Sequence, residues 1–362
     1  MKSTSGAHYI ALDHVRALAA LIVFTWHFLH SINGYPVPFS QAPFIFPLAL
    51  LDEGHAGVAL FMVLSGYLFS KLLNNKKIEY RKFLWNRGLR LLPLLFFVII
   101  VRFFLVTYSS NDSVEIRNYL ISIAEGLIFP TLPNGGWSIT VEFHFYLILP
   151  LLLILLSKSK TSMGGILIAA IALRWLIYQN RGEVQNLAYF TIVGRIDQFL
   201  LGMLAYHFSR HMKGRHFFMA IAAVLFFAFY WKFDALGGFM RSPGYPSTNP
   251  IWIVMSTIEG LFFGLFISWY DTSFKHSTGG PSNILAKIGE YSYSIYLLHM
   301  FFVFSAARFI HENIMDISNF YTALVWALVC FGLTLPIAGA SYRFIEMPFM
   351  KWRRPYIRVE NH

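Results

Sequence analysis

The feature that most constrains this chain is a series of apolar stretches, each about as long as a membrane is thick. A helix needs about 20 residues to cross ~30 Å of hydrocarbon. Only 13% of the residues are charged, against about a quarter in a soluble domain, so a soluble core could not hold this much apolar surface. The sequence therefore predicts an all-α integral membrane protein with about ten transmembrane helices. Their approximate ranges are 9–31, 55–73, 91–108, 138–157, 164–179, 187–208, 216–232, 249–270, 288–309 and 321–343.

The distribution of Lys and Arg residues predicts the orientation of these helices. With ten spans, 20 of the 29 basic residues flank span ends on the side of the N-terminus, five flank the opposite ends, and four lie within spans. Basic residues concentrate in cytoplasmic loops, so both termini are predicted to be cytoplasmic. Because this asymmetry accounts for the formal charge of +11, the basic composition does not call for a nucleic-acid partner.

The chain is interpreted as one membrane domain covering residues 1–362, because no linker-like or low-complexity stretch divides it. The apolar stretch 118–129 is too short to span and is interpreted as an amphipathic or re-entrant piece. The only cysteine, Cys330, lies within an apolar run, which excludes an internal disulfide and a cysteine-based metal site. No metal cofactor is expected.

The first span carries two ionisable residues, Arg16 and His27, that are costly in a membrane. An ionisable side chain at mid-membrane costs ~2.5–3.5 kcal/mol and therefore points to a function. Eleven residues are close to three helical turns, so the two side chains share one face roughly 16 Å apart, with Arg16 toward the cytoplasm. A histidine bonded to another helix and an arginine reaching the interface would explain the same pattern.

Glu142, near the outer end of the fourth span, is predicted at the depth of His27. A carboxylate beside a histidine can hold its tautomer and stabilise the imidazolium, so the two residues indicate general-base chemistry. A buried polar pair that only joins two helices is the alternative.

Arg87 and Arg90, between the second and third spans, would share one face if the third helix begins early. Together they would form a fork suited to phosphate oxygens at the cytoplasmic boundary. Anchoring of the span by positive charge explains them equally well.

Three further polar residues at depth are Arg195, Ser65 and His299. Burial of Arg195 in the membrane would cost much free energy unless another group compensated its charge. Ser65 lacks the setting of a nucleophile elbow, so it and Gly66 favour close helix packing. His299 is interpreted first as a structural hydrogen-bonding residue. All three are kept as candidate contacts to an acceptor or to an oxyanion.

Six motifs in chain order resemble the acyltransferase 3 family of integral membrane acyltransferases, many of which are bacterial sugar O-acetyltransferases. Each motif alone is weak, whereas six in order are specific. They are residues 12–20 (LDHVRALAA) with His27, 61–67 (FMVLSGY), 87–93 (RGLRLLP), 137–146 (WSITVEFHFY), 291–299 (YSYSIYLLH) and 342–348 (YRFIEMP).

The resemblance implies transfer of an acyl group, usually acetyl, from cytoplasmic acyl-coenzyme A to a hydroxyl group of an extracytoplasmic or lipid-linked glycan. By motif match, His27 is the expected catalytic base, Arg16 helps to hold the donor, and Arg87 and Arg90 contact its phosphates. The assignments of Glu142 as partner of His27 and of Arg195 as oxyanion contact are our inferences from depth and charge.

Members of the family often carry an appended extracytoplasmic esterase-like domain, and none is expected here because the sequence ends soon after the tenth predicted helix. The expected location is the bacterial cytoplasmic (inner) membrane, with membrane lipids around the helices.

The leading alternative is a transporter or exporter of a glycan or small metabolite, since intramembrane Arg, His and Glu also mark substrate pathways. Transporters often contain internal repeats, and the sequence shows none. A sensory or scaffold protein would leave the Arg16–His27 spacing without a purpose. The sequence leaves open the acceptor glycan, the choice of acetyl, succinyl or longer acyl group, and whether the protein forms a homodimer.

Overall fold

The structure, a computed structural model, describes residues 9–31, 34–73, 76–109, 113–241 and 244–357. These residues are mainly helical, and their only strand-like pairing is an isolated bridge between Ile78 and Ile357. We number the longer helices α1 Ile10–Leu29, α2 Ala56–Leu73, α3 Tyr80–Ser109, α4 Ser113–Glu125, α5 Trp137–Lys158, α6 Lys160–Arg181, α7 Ile192–His207, α8 His216–Ala235, α9 Met255–Ser273, α10 Gly280–Glu290, α11 Ser292–Leu298, α12 Val303–Asn313 and α13 Phe320–Ser341. Short helical segments are Phe46–Leu48, Ala49–Asp52, Gln185–Phe190, Ser209–Met212, Gly238–Arg241, Pro250–Ile253, His299–Phe301, Tyr342–Glu346 and Met347–Met350.

The all-helical prediction is confirmed for the described residues, whereas the count of ten spans is not. Seven helices are long and apolar enough to cross a membrane, or eight if α11 and α12, which are bent by 55° at a break, form one span. Helices also occupy the predicted spans 187–208 and 249–270. However, α7 has only 16 residues, and α9 is not among the described helices that are long and apolar enough to cross. Both chain ends lie outside the described residues, so the side of the membrane on which they lie stays a prediction.

Two local expectations about the third span are met. Helix α3 begins at Tyr80, well before the apolar stretch 91–108, so Arg87 and Arg90 both lie within it. The short stretch 118–129 corresponds largely to α4, most of whose residues are exposed. Because α4 packs on α3 and is too short to span, it fits the predicted amphipathic piece.

Close backbone contacts at glycines hold the central helices together. A Cβ added at Gly66 of α2 would lie 2.0 Å from the carbonyl oxygen of Phe199 in α7, and one added at Gly202 of α7 would lie 2.0 Å from that of Val63. Small residues permit such approach of membrane helices. The predicted packing role is therefore confirmed for Gly66, whereas its neighbour Ser65 contacts a different helix.

Large apolar side chains cover the outer helix surfaces, and ionisable side chains pair inside the bundle. Phe104, Ile168 and Leu333 are 64%, 70% and 68% exposed on helix surfaces. Inside, Arg174 donates two hydrogen bonds to Asp197, of 3.0 and 2.7 Å, and both side chains are fully buried. Apolar outer surfaces and buried, paired ionisable groups are what a lipid environment requires, so the chain is an integral membrane protein.

Candidate active site

An internal cavity in the described part of the chain has a volume of about 130 Å³. Its walls come from α1, α2, α3, α5 and α11, with a further contribution from residues that follow the last helix. The charged and hydroxyl-bearing residues that line it are Tyr9, Asp13, Arg16, Ser65, Arg87, Arg90, Ser138, Glu142, Tyr146, Ser292, Tyr293, Tyr296, Arg353 and Tyr356. Four arginines face two carboxylates in this space, so the cavity carries a net positive charge.

Arg87 and Arg90 both line the cavity, as expected for two residues three apart on one helix face. The Arg87 guanidinium lies 5.2 Å from the ring centroid of Phe69 and 5.6 Å from that of Phe83. Its Nε is buried, with no hydrogen-bond partner among the described residues. The two aromatic rings therefore stabilise the guanidinium through cation–π contacts. Its Nε–H is still able to donate a hydrogen bond to a ligand.

Arg16 reaches the same cavity from α1, and one of its guanidinium nitrogens donates a hydrogen bond to the buried carboxylate of Asp13. The two residues lie three apart on the helix, so the ion pair fixes the arginine side chain locally. The three arginines predicted to bind the donor thus converge on one space.

Glu142 lies about 8 Å inside the first residue of α5, at 1.5 Å per residue. Its carboxylate accepts hydrogen bonds from the Ser65 hydroxyl, at 3.3 Å, and from the Tyr146 hydroxyl. The predicted pairing of Glu142 with His27 is not a hydrogen bond in the structure. Similar depth does not place two residues on facing sides of their helices, and the side chain of Glu142 is turned into the cavity.

His27 instead lies against His299. Nδ1 of His27 is 2.9 Å from the carbonyl oxygen of Val23 and 3.3 Å from Nε2 of His299, whose own Nδ1 is 3.0 Å from the carbonyl oxygen of Ile295. Since a carbonyl only accepts, each Nδ1 carries the proton. This assignment makes Nε2 of His299 an acceptor facing His27, and it leaves the lone pair of His27 on its Nε2.

The cavity ends one aromatic ring short of these histidines. Tyr296 lines the cavity, and its ring centroid is 6.1 Å from that of His299. The Tyr296 hydroxyl donates a 3.1 Å hydrogen bond to the carbonyl oxygen of Gly135. His27 itself does not line the cavity, so Tyr296 separates the arginine-lined space from the histidine pair.

Arg195 lies outside the cavity walls and is fully buried. Its guanidinium donates hydrogen bonds to the carbonyl oxygen of Tyr189 and, at 2.9 Å, to Oε1 of Gln198. Gln198 in turn donates a 2.8 Å hydrogen bond to Glu259. The buried arginine expected to need a compensating group therefore has a network of its own, and the structure does not bring it to the predicted catalytic residues.

Sequence reasoning missed several lining residues. Tyr293 and Tyr296 belong to the motif 291–299, and a helical projection of that motif could have placed them one turn apart on His299's side. Arg353 was counted only as a cytoplasmic charge, and no spacing signal distinguished it from Arg354. Among the described residues, no three His, Cys, Asp or Glu side chains are grouped so as to hold a metal ion.

A membrane-embedded helical bundle with an arginine-lined cavity near a histidine pair defines an integral membrane protein with a positively charged internal cavity. The family comparison specifies this class further. The acyltransferase 3 model, described as an acyltransferase domain, matches residues 9–343, and the chain belongs to this family.

Individual relatives agree with this assignment. A Staphylococcus aureus protein provisionally named as an O-acetyltransferase is 26% identical over an alignment that covers 96% of this chain and 59% of the relative. The Bacillus subtilis protein YrhL, provisionally named as a peptidoglycan O-acetyltransferase, is 24% identical over 93% of this chain and 54% of its own length. The peptidoglycan O-acetyltransferase OatA of Listeria monocytogenes is 25% identical over 94% and 56%. The chain thus covers less than two thirds of these relatives, and no solved structure matches it.

Proposed function

We propose that this protein transfers an acetyl group from cytoplasmic acetyl-coenzyme A to a hydroxyl group of an extracytoplasmic or lipid-linked glycan, in the cytoplasmic membrane of a bacterium. The observation that carries the proposal is one cavity lined by Arg16, Arg87 and Arg90 and separated from the His27–His299 pair by a single ring. The names of the relatives support O-acetylation of a glycan, and two of them name peptidoglycan.

The cavity suits the donor's charge. Arg87 and Arg90 lie about 10 and 15 Å along α3 from its first residue, where they can bind phosphate oxygens near the side proposed to be cytoplasmic. The narrow pantetheine arm would then extend past Ser65 and Glu142 toward Tyr296. Displacement of the Tyr296 ring would bring the thioester to His27.

His27 is proposed as the general base, acting through Nε2. The acceptor oxygen attacks the thioester carbonyl carbon while Nε2 takes the hydroxyl proton, and the imidazolium then gives this proton to the sulfur as the carbon–sulfur bond breaks. The products are the acetyl ester and coenzyme A with a free thiol. His299 is a positioning residue, because its Nε2 accepts from Nδ1 of His27 and helps to hold the tautomer that leaves the base exposed.

The donor proposal is tested by binding and slow hydrolysis of radiolabelled acetyl-coenzyme A by purified protein in detergent. We expect His27→Ala to lose turnover by about 10²- to 10⁴-fold while donor affinity is unchanged. Arg87→Gln should lower affinity about tenfold or more, because a charge-assisted phosphate contact contributes ~1.5–3 kcal/mol. Matched controls are His144→Ala in α5 and Arg102→Gln in α3, since neither residue lines the cavity.

Two results would contradict the proposal. If His27→Ala keeps the turnover of the unmodified protein, another group is the base. If the unmodified protein neither binds nor hydrolyses any acyl-coenzyme A, the donor assignment is wrong, and glycan transport into sealed vesicles becomes the assay to perform.

A further inference from the structure

The segment that follows the last helix, residues 351–357, returns along the cytoplasmic start of α3 and is held there by hydrogen bonds. The Asn86 side chain donates to the carbonyl oxygen of Arg354, at 2.7 Å, and accepts from its backbone N–H, at 2.9 Å. The backbone N–H of Glu79 donates to the carbonyl oxygen of Tyr356, at 2.8 Å. Since Tyr356 is also fully buried, this segment is an ordered part of the bundle.

The position of this segment brings Arg353 into the arginine-lined cavity beside Arg87 and Arg90. Arg353 is half-buried, and burial lowers the pKa of its guanidinium, with the charges of Arg90 and Arg87 acting in the same direction. Like charges in a partly buried site destabilise one another. An anion bound among them would remove this repulsion.

The carboxylates of the cavity are already engaged by other groups. Asp13 pairs with Arg16, and Glu142 accepts from Ser65 and Tyr146. The charge of this end of the cavity is therefore complementary to a ligand with several negative charges.

We infer that Arg353 binds the ribose 3′-phosphate of coenzyme A, so that residues 351–357 form part of the donor site. The inference rests on the proposed function. Coenzyme A carries a diphosphate and, at the end remote from the thioester, a separate 3′-phosphate. Arg87 and Arg90 lie three residues apart on α3 and fit the two adjacent groups of the diphosphate, whereas Arg353 reaches the same cavity from a separate segment. The arginine on the separate segment thus fits the separate phosphate.

The test compares coenzyme A with 3′-dephospho-coenzyme A by isothermal titration of the full chain in detergent. We expect the unmodified protein to prefer coenzyme A by about tenfold or more, as for one charge-assisted phosphate contact. In Arg353→Gln the two ligands should bind within about twofold of each other, with affinity for the dephospho form unchanged. Arg353→Lys should keep part of the preference.

Arg354→Gln is the matched control, because it removes the same charge from the same segment but from a side chain outside the cavity. It should keep the full preference, and thermal unfolding should show that both Gln variants are folded. If Arg353→Gln discriminates between the ligands as the unmodified protein does, or if the unmodified protein binds both equally, the inference is overturned while the donor assignment stands. If the unmodified protein binds neither ligand, the proposed function itself fails.

A phospholipid headgroup also presents phosphate, and the same titrations distinguish this source. They are repeated in nanodiscs of phosphatidylcholine with and without phosphatidylglycerol. A preference for coenzyme A that depends on Arg353 in both membranes supports the inference. A preference for coenzyme A that depends on Arg353 only in the nanodiscs with phosphatidylglycerol would overturn it.

Discussion

Replacing His299 by leucine measures how much the proposed catalytic activity of His27 depends on its contact with His299. The substitution removes the Nε2 acceptor that lies 3.3 Å from Nδ1 of His27 and leaves the 2.9 Å contact with the carbonyl oxygen of Val23. In the proposed mechanism His27 becomes an imidazolium when it takes a proton from the acceptor, so the lost interaction is a hydrogen bond from a charged donor. The loss is felt mainly in the transition state, where the charge develops.

The expected magnitude follows from this geometry. A hydrogen bond to a charged group contributes ~1.5–3 kcal/mol. The distance of 3.3 Å is longer than a typical N–H contact of about 2.9–3.0 Å, which favours the lower limit. About 1.5 kcal/mol corresponds to a roughly tenfold decrease in kcat. The KM for acetyl-coenzyme A should not change, because His299 does not line the arginine-lined cavity proposed to hold the donor.

The assay is steady-state release of coenzyme A thiol by purified His299→Leu and His299→Gln, with the thermal midpoint of each as a check of folding. The amide oxygen of Gln can accept a hydrogen bond near the position of Nε2 and should restore kcat to within about threefold of the unmodified protein. The reasoning is refuted if His299→Leu keeps full kcat, or if His299→Gln is as slow as His299→Leu.

Two further predictions concern stability. Gly66→Ala should destabilise the protein by ~1–3 kcal/mol, since the new Cβ would lie 2.0 Å from the backbone oxygen of Phe199, whereas Gly164→Ala, with open space around it, should be neutral or stabilising. Thermal unfolding in detergent checks the pair, and equal midpoints would contradict the packing argument. Asp197→Asn leaves a formal charge on the fully buried Arg174 and should cost ~3–5 kcal/mol, seen as a large loss of folded protein in fluorescence-detected size-exclusion chromatography. An unchanged yield and midpoint would show that this ion pair contributes little.

The arginine positions were predictable because helical periodicity links residues that are near in sequence. Arg87 and Arg90 are three apart, so they face one direction once α3 is known to begin early. The apolar stretch alone begins after both residues, and the earlier start is fixed by packing of the first turns against the segment 351–357. The shared face of the two arginines follows from their spacing alone. The residue at which α3 begins depends on packing against a segment distant in sequence.

The partner of His27 was not predictable from depth. Glu142 lies five residues inside α5 and His299 lies at the break between α11 and α12, and the rotation of each helix about its axis decides which of the two faces α1. That rotation is set by packing between helices distant in sequence, as at Gly66 and Phe199. The apolar spans of a sequence therefore predict the depth of a residue in the membrane. They do not predict which residue of another helix it contacts, because that depends on helix packing.

The amino-acid sequence was sufficient to predict a helical membrane protein and to identify its family through six ordered motifs, which a match over residues 9–343 confirms. These properties follow from apolar length, charge asymmetry and local spacing, which do not require knowledge of contacts between helices. The contacts between helices were needed to show that His299 accompanies His27, that Glu142 faces the arginine-lined cavity, and that Arg353 joins the other arginines there. Each of these depends on how distant segments pack together, and packing is decided by the whole bundle at once.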